Sequence, residues 1–482
     1  MKGLFNFVLF TAYCMLQTPL FAQTWYTVPA NGGKVGIPCD SPCANCSGVH
    51  SLKTINGVLY VGGSIGPTCG ATGKGISKYN GSSWDSLGPG VYGIAEAFEL
   101  YNGEIYAAGS FLGAYSGLPW PNDWVQNTEK IARWDGMHWK AVSSGAGAGP
   151  SAPTELSALK YYNDLYIAGN SSFQSIGGIT CKHIARWNGS TYNNVQGGVD
   201  GPFFPEVYAM EIYKGQLYVG GNFTMAGNIT ANYIARWDGT KWDSVGRGMD
   251  YFVEAFAVDT VNDILYAGGA FTNAGGISSK YIAKWDGTNW SAVAPFPPVG
   301  YIKCLKIFKG ELYAGSYGNL SLGDTVLLRY DGSQWHPVWG PNWSVVTLET
   351  YKGNLYVGGG FDKIDTTTVN GIACYGDSCP GTPITLTQNL GVHEYNTQLK
   401  FKVYPNPAKK ELNIEVTTSP QPSQKERGFL ARVKNSLGQS IFEQKFEKAL
   451  KINTSGFKQG IYFVEVCTSE GKLCHTEKVV VE

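Results

Sequence analysis

One unit recurs along most of this chain, and it limits the possible folds more than any other feature. Its clearest copy spans Val207–Thr224 and Asn232–Gly246. It reads as four short strands: about Val207–Tyr213, Gln216–Gly221, Tyr233–Trp237 and Lys241–Val245. Lys214-Gly215 turns the first pair, and Asp238-Gly239 turns the second. Asp-Gly between apolar runs predicts a type I′ hairpin turn, which needs the positive φ that Gly accepts freely. The first three strands read as apolar on both faces, as expected of a small sheet packed between two others. The fourth alternates, as an outer strand should.

The Leu/Ile-Tyr pair of the second strand ends at Tyr60, Tyr106, Tyr166, Tyr218, Tyr266, Tyr313 and Tyr356, at spacings of 46, 60, 52, 48, 47 and 43 residues. Four-stranded repeats of this length predict the blades of a β-propeller. Third strands begin at Ile76, Ile131, Ile184, Ile234, Ile282, Leu327 and Ile372, and fourth strands carry Trp84, Trp139, Tyr192, Trp242, Trp290 and Trp335. The seventh repeat has no fourth strand. Trp25-Tyr-Thr-Val28 has the Trp-x-x-Val pattern of Trp242–Val245, so the expectation is that this N-terminal strand completes the last blade and leaves no open edge. Tyr218-Val-Gly-Gly221, followed by Trp237 and Trp242, resembles kelch-type blades across about Trp25–Gly376. That resemblance implies architecture, since such propellers host many activities. Insertions such as Phe223–Gly227 and Phe271–Gly275 depart from the kelch pattern.

Connections within each strand pair are tight, as at Asn102-Gly103, Lys309-Gly310, Lys352-Gly353, Asp135-Gly136, Asn188-Gly189 and Asp331-Gly332. Connections from second to third strand, and from one repeat to the next, are long and variable. In a propeller these two sets lie on opposite faces, and variable loops on a rigid scaffold are where binding usually sits. The variable set carries aromatic rings: Tyr115, Trp120 and Trp124 in the second repeat, and Phe203, Phe204, Tyr251 and Phe252 between repeats. Such rings offer flat area with little entropy loss, which suits a glycan or a protein partner.

Residues 1–22 read as a signal peptide: Lys2, an apolar run from Leu4, and Ala22 before the cleavage point. The run is too short and too interrupted, by Asn6, Gln17 and Pro19, to span a bilayer. Without Cys14, ten of the 11 cysteines remain. An even count in an exported chain suggests disulfides. The candidates are Cys39, Cys43, Cys46 and Cys69 as a cluster, Cys374 with Cys379, and Cys467 with Cys474, which a two-residue turn at Glu470-Gly471 would set directly opposite. Cys181 and Cys304 read as buried thiols.

The repeat is lost over 377–399, where Pro380, Gly381 and Pro383 mark a linker. From 400 to 482 the pattern is again short strands, predicting a small Ig-like β-sandwich. Tyr404-Pro405-Asn406-Pro407, Gly438, Gly460, Tyr462 and Lys478 lie in an order that closely resembles the type A sorting domain of the type IX secretion system of Bacteroidota. The resemblance implies recognition by an outer-membrane translocon and then, usually, proteolytic removal of the domain.

Little points to chemistry. A net charge of zero argues against nucleic acid as the main partner. The six His share neither repeat position nor metal-ligand spacing, so neither metal nor cofactor is expected. Asp135, Asp238, Asp286 and Asp331 recur, but as turn residues before Gly. The expectation is an exported recognition module. A polysaccharide-acting enzyme and a structural matrix protein are the alternatives. An acid/base cluster lining the central channel would favour the enzyme.

Overall fold

In a computed structural model the described residues are 23–28, 48–64, 75–118, 123–143, 154–294, 300–317, 326–386, 401–416, 429–435, 440–468 and 473–481. They are all-β: among them no helix occurs, and every sheet is antiparallel. No helix there is long and apolar enough to cross a membrane. The chain divides into two compact units, Met1–Thr387 and Gln388–Glu482.

The first unit contains seven principal sheets, each in the order first, second, third, fourth strand. The copy read above becomes Glu206–Tyr213, Gln216–Asn222, Ile234–Trp237 and Trp242–Ser244. The first strands of the seven are Val49–Ile55, Ala95–Tyr101, Leu156–Tyr162, Glu206–Tyr213, Val253–Asp259, Ile302–Phe308 and Val345–Tyr351. Each packs against the next, and the seventh packs against the first. There Leu52 donates its backbone N–H to Thr347 Oγ1 at 3.1 Å, and Thr54 Oγ1 donates to the Thr350 carbonyl at 2.9 Å.

The repeated tryptophans fasten neighbouring sheets. Trp139, Trp242, Trp290 and Trp335 donate their indole N–H to carbonyls of Leu87, Val195, Val245 and Ala294, each at the end of the preceding sheet. Trp25 does the same to Trp339 at 2.6 Å. Its strand, Thr24–Thr27, pairs with Ile372–Gly376 as the fourth strand of the seventh sheet. A fifth strand, Pro383–Ile384, adds to its far side, beyond the expected boundary at 376. The Cys374–Cys379 disulfide closes the loop leading to it, with Cα atoms 6.0 Å apart. Cys181 and Cys304 are buried free thiols.

Three details differ from the sequence reading. Asp-Gly is not the I′ site. Trp237 pairs with Trp242 across four residues, Gly239 has φ 101°, and Asp238 Oδ1 caps the loop by accepting from the N–H groups of Thr240 and Lys241. Two successive positive φ values occur instead at Lys214-Gly215 (48° and 71°). The first strands are also not apolar on both faces: Lys and Glu stand on one side, half-buried between sheets. Finally, Cys467 faces Leu473 and not Cys474, because the register shifts after Val466 and His475.

In the second unit, a three-stranded sheet (Phe401–Tyr404, Glu411–Val416, Ala449–Asn453) and a four-stranded one (Ser440–Phe446, Phe429–Asn435, Gly460–Thr468, Leu473–Val481) share a core that includes Val403, Leu412, Ile414, Ala431, Val433, Val464 and Val479. Burying each such Val, Leu or Ile side chain stabilises by about 1.5–3 kcal/mol.

Candidate functional site

The seven first strands begin where the variable connections enter, and the second strands end there; Glu206, for example, is the cross-strand partner of Asn222. This end carries the aromatic rings expected from sequence. Phe203 and Phe204 are 76% and 78% exposed. Their carbonyls are held by Asn222 Nδ2 at 2.9 and 3.2 Å, and Pro202 and Pro205 bracket them. Phe204 keeps a left-handed φ of 44°, a conformation that costs about 1 kcal/mol and that a firmly held loop retains. Tyr251 is half exposed and lies 4.3 Å, centroid to centroid, from Phe252. In the second repeat, Tyr115 stacks on Trp124 at 4.8 Å, with Tyr92 edge-on to both. Those two candidate rings therefore pack on each other. Trp120 lies outside the described residues, as do Gly438 and the cluster Cys39, Cys43, Cys46 and Cys69. The side chains of Cys467 and Cys474 lie outside them too.

The same loop end carries a group of ionisable residues that the sequence reading missed. At the second position of their strands, Glu96 accepts from or pairs with His50 Nδ1 at 3.0 Å, and Lys303 Nζ pairs with Glu254 at 2.5 Å. Glu155 and Glu206 lie at the entrances to the third and fourth sheets. Among the described residues, neither has a cation within ion-pair distance. Burial raises the Glu155 carboxyl above its ordinary range, and the charge of Glu96 adds to this, against His50 and Lys130. Burial pushes Glu206 up to about 7, and the charges of Glu155 and Glu254 add to it against Lys303. The Tyr208 hydroxyl, hydrogen-bonded to Glu206, is pushed up by burial and by Glu206 and Glu254. The six ionisable groups therefore form one electrostatic group spread over successive sheets.

An aromatic wall adjoins it. Phe252 is 5.8 Å from Tyr208 and 6.2 Å from Tyr301, and Tyr301 is 5.4 Å from Tyr317. The Lys303 ammonium lies 5.1 Å from the Tyr317 ring centre and 6.0 Å from that of Tyr208. Tyr251 and Phe252 are thus joined to the carboxylates, which spacing alone did not reveal. For His50, Glu96, Glu254 and Lys303 the available signal was the second strand position, which reads His50, Glu96, Ser157, Tyr208, Glu254, Lys303, Val346 when the repeats are superimposed; Glu155 and Glu206 lie two residues before it.

Three residues further along the same strands lies a second charged belt. Here Lys53 pairs with Glu99 at 3.3 Å, Lys160 with Glu211, and Lys306 with Glu349 at 2.9 Å. The fifth sheet places uncharged Ala257 at this level. Among the described residues, no group of three His, Cys, Asp or Glu could hold a metal ion.

In the second unit the expected motif residues clamp the chain ends together. Tyr404 hydrogen-bonds Glu415. Asn406 Nδ2 donates to the Lys478 carbonyl at 2.8 Å, and Asn406 Oδ1 accepts from the Val480 N–H at 3.0 Å. The bonds between Tyr404 and Pro405 and between Asn406 and Pro407 are cis. Tyr462 is buried, donates its hydroxyl to the Lys458 carbonyl at 2.7 Å, and packs on Phe457. Gly460 opens its strand opposite Val481, and Lys478 stands exposed.

Residues 402–482 match the family of the secretion system C-terminal sorting domain. The chain is therefore a cargo of the type IX secretion system, exported to the extracellular space or the cell surface. No curated protein matches the chain. Among solved structures it is similar to PorZ, described as a surface component of the type IX secretion system of Porphyromonas gingivalis, at 16% identity over 94% of this chain and 62% of that one, with a TM-score of 0.44. It is also similar to the extracellular domain of BT4673 from B. thetaiotaomicron, at 11% identity over 96% of this chain and 59% of that one, TM-score 0.42. A third is a fungal AA5-family alcohol oxidase in complex with copper, at 12% identity over 95% and 99%, TM-score 0.41. The chain spans about three fifths of the first two.

Proposed function

We propose that the seven sheets are the blades of a kelch-like seven-bladed β-propeller that extends past the expected boundary at 376 to include the strand Pro383–Ile384, is closed by the N-terminal strand, and is followed by an Ig-like sorting sandwich. On this reading the protein is an exported recognition module. Its ligand, a glycan or a protein, docks on the variable loop face over Phe203, Phe204, Tyr251 and Phe252, with Tyr115, Trp120 and Trp124 at the second blade. The observation that carries it is the set of exposed rings at the same loop end as the half-buried carboxylates Glu155 and Glu206: rings supply contact area, and carboxylates supply direction. Glycan-array and partner binding by the full exported protein test it. Phe203→Ala with Phe204→Ala should weaken binding by roughly 1–3 kcal/mol and leave the melting temperature in place. Unchanged binding would refute this face.

One observation favours a second reading, a polysaccharide lyase or hydrolase. Glu206 is pushed up to about 7 beside Tyr208 and Glu254, and a carboxyl poised near neutrality is suited to proton transfer. Glu206→Gln should then abolish release of unsaturated or reducing ends from a polysaccharide panel. No such release by the native protein would exclude this reading.

A further inference from the structure

The carboxylates at the loop end are unevenly satisfied. Glu254 has Lys303, and Glu96 has His50. Glu155 and Glu206 lie within the same field with no described cation at ion-pair distance. Two partly buried carboxylates repel each other, and a protein can relieve this by taking up a proton or by binding a positive group. The wall beside them suits the second route. Aromatic faces attract cations, more strongly where water is excluded. Lys303 already shows the arrangement in miniature: its ammonium is bonded to Glu254 and lies near the rings of Tyr317 and Tyr208.

From this juxtaposition, and resting on the reading that the loop end is the binding face, we infer that the carboxylates Glu206 and Glu155, with the rings beside them, bind the ammonium or guanidinium group of a lysine or arginine side chain of a partner protein. Burial favours such a side chain over an amino sugar. Glu155 and Glu206 are half-buried, whereas Phe203, Phe204 and Tyr251 are exposed, so a cation on a long, slim stem reaches the carboxylates best. The methylenes of Lys or Arg supply that stem and lie along apolar rings while the charged tip goes deeper. An amine fixed to a pyranose ring brings the whole ring with it. Carboxylate and stem contact together fix the partner residue more closely than charge alone.

The test uses the full-length exported protein and calorimetric titration with capped pentapeptides, Gly-Gly-X-Gly-Gly, in which X is Lys, Arg or norleucine, with glucosamine as a fourth probe. The Lys and Arg peptides should bind at least about tenfold more tightly than the norleucine peptide, a difference of about 1.4 kcal/mol. Binding should be tighter at pH 8 than at pH 5.5. Between those values Glu206 takes up a proton, burial shifts Glu155 in the same direction, and Lys303 and Lys130 keep their charge. His50, Glu96, Glu254 and Tyr208 complete the groups around these carboxylates. Glu206→Gln should cost about tenfold at pH 8 and flatten the pH profile; Glu155→Gln is the independent second variant, and both are checked for an unchanged melting transition. Equal binding of the norleucine peptide, tighter binding of glucosamine, a flat profile in the native protein, indifference to both variants, or no peptide binding at all would each overturn the inference. The broader reading fails separately: if the Phe203 and Phe204 variants still abolish glycan or partner binding while no peptide binds, only the cation site falls.

Discussion

Two charged belts lie three residues apart on the same seven strands, and they are built differently. In the inner belt, Lys53–Glu99, Lys160–Glu211 and Lys306–Glu349 pair off across neighbouring sheets, and the seventh position is Ala257. An odd number of positions balances pairwise only if one is neutral, and this belt meets that condition. At the loop end the position three residues earlier also pairs, His50 with Glu96 and Lys303 with Glu254, but Glu155 and Glu206 stand two residues nearer the strand entrances and add carboxylates with no described cation at ion-pair distance. A belt that satisfies itself serves the fold. One left with spare negative charge next to solvent-facing rings is open to something else.

The comparison can be broken by experiment, starting where the effect is largest. Lys303→Met strands Glu254, whose side chain is only 6% exposed. It should cost about 3–5 kcal/mol in denaturant unfolding, and adding Glu254→Gln should restore most of it. A double variant no better than the single would show that this pair behaves like the rest of the surface. In the inner belt Lys306→Met should cost less, about 1–2 kcal/mol, because both partners keep some water. Its double with Glu349→Leu should return near to native; a double-mutant cycle measures the coupling.

Glu206→Gln should move stability the other way. A carboxyl raised in the folded state favours folding below its unfolded value, and that advantage is lost as pH rises through the folded value, here about 7. Gln carries no such penalty. The variant should match the native protein at pH 4 and exceed it at pH 8, by up to about 1 kcal/mol. A variant less stable at pH 8 would show that Glu206 is held by bonds that favour its charged form. Smallest of all, Phe203→Ala and Phe204→Ala should each shift stability by less than about 0.5 kcal/mol, as exposed positions do; a larger loss would make these rings part of the packing.

Strand order and the completing N-terminal strand were legible in the sequence because each rests on a local, repeated signal: Trp242, Trp290 and Trp25 each sit in the same short pattern. The disulfide was legible because Cys374 and Cys379 are near in sequence. The carboxylate group was not. Glu155, Glu206 and Glu254 each occur in a different repeat, two of them at strand entrances where repeats vary, and only the packing of first strand on first strand brings them together. Turn chemistry misled for a related reason. Asp-Gly favours several reversals, and the Asp238 carboxylate selects the four-residue one by capping it.

The strand Thr24–Thr27 has a consequence in time as well as in space. Thr382 donates its N–H to Thr27 Oγ1 across a separation of 355 residues, so the earliest strand of the first unit waits for the last. Loop closure over so long a chain is entropically slow compared with forming any one hairpin. Each sheet can zip up as it emerges from the ribosome or a translocation pore, but the seam must stay unsealed until residue 384 is through. A chain interrupted before that point is left with a bare edge on its seventh sheet, the kind of surface that chaperones and proteases recognise. Passage of residue 384 and closure of the first unit therefore become the same event, with the sorting domain at 402–482 still to follow, which gives an export pathway a way to tell a finished first unit from a fragment.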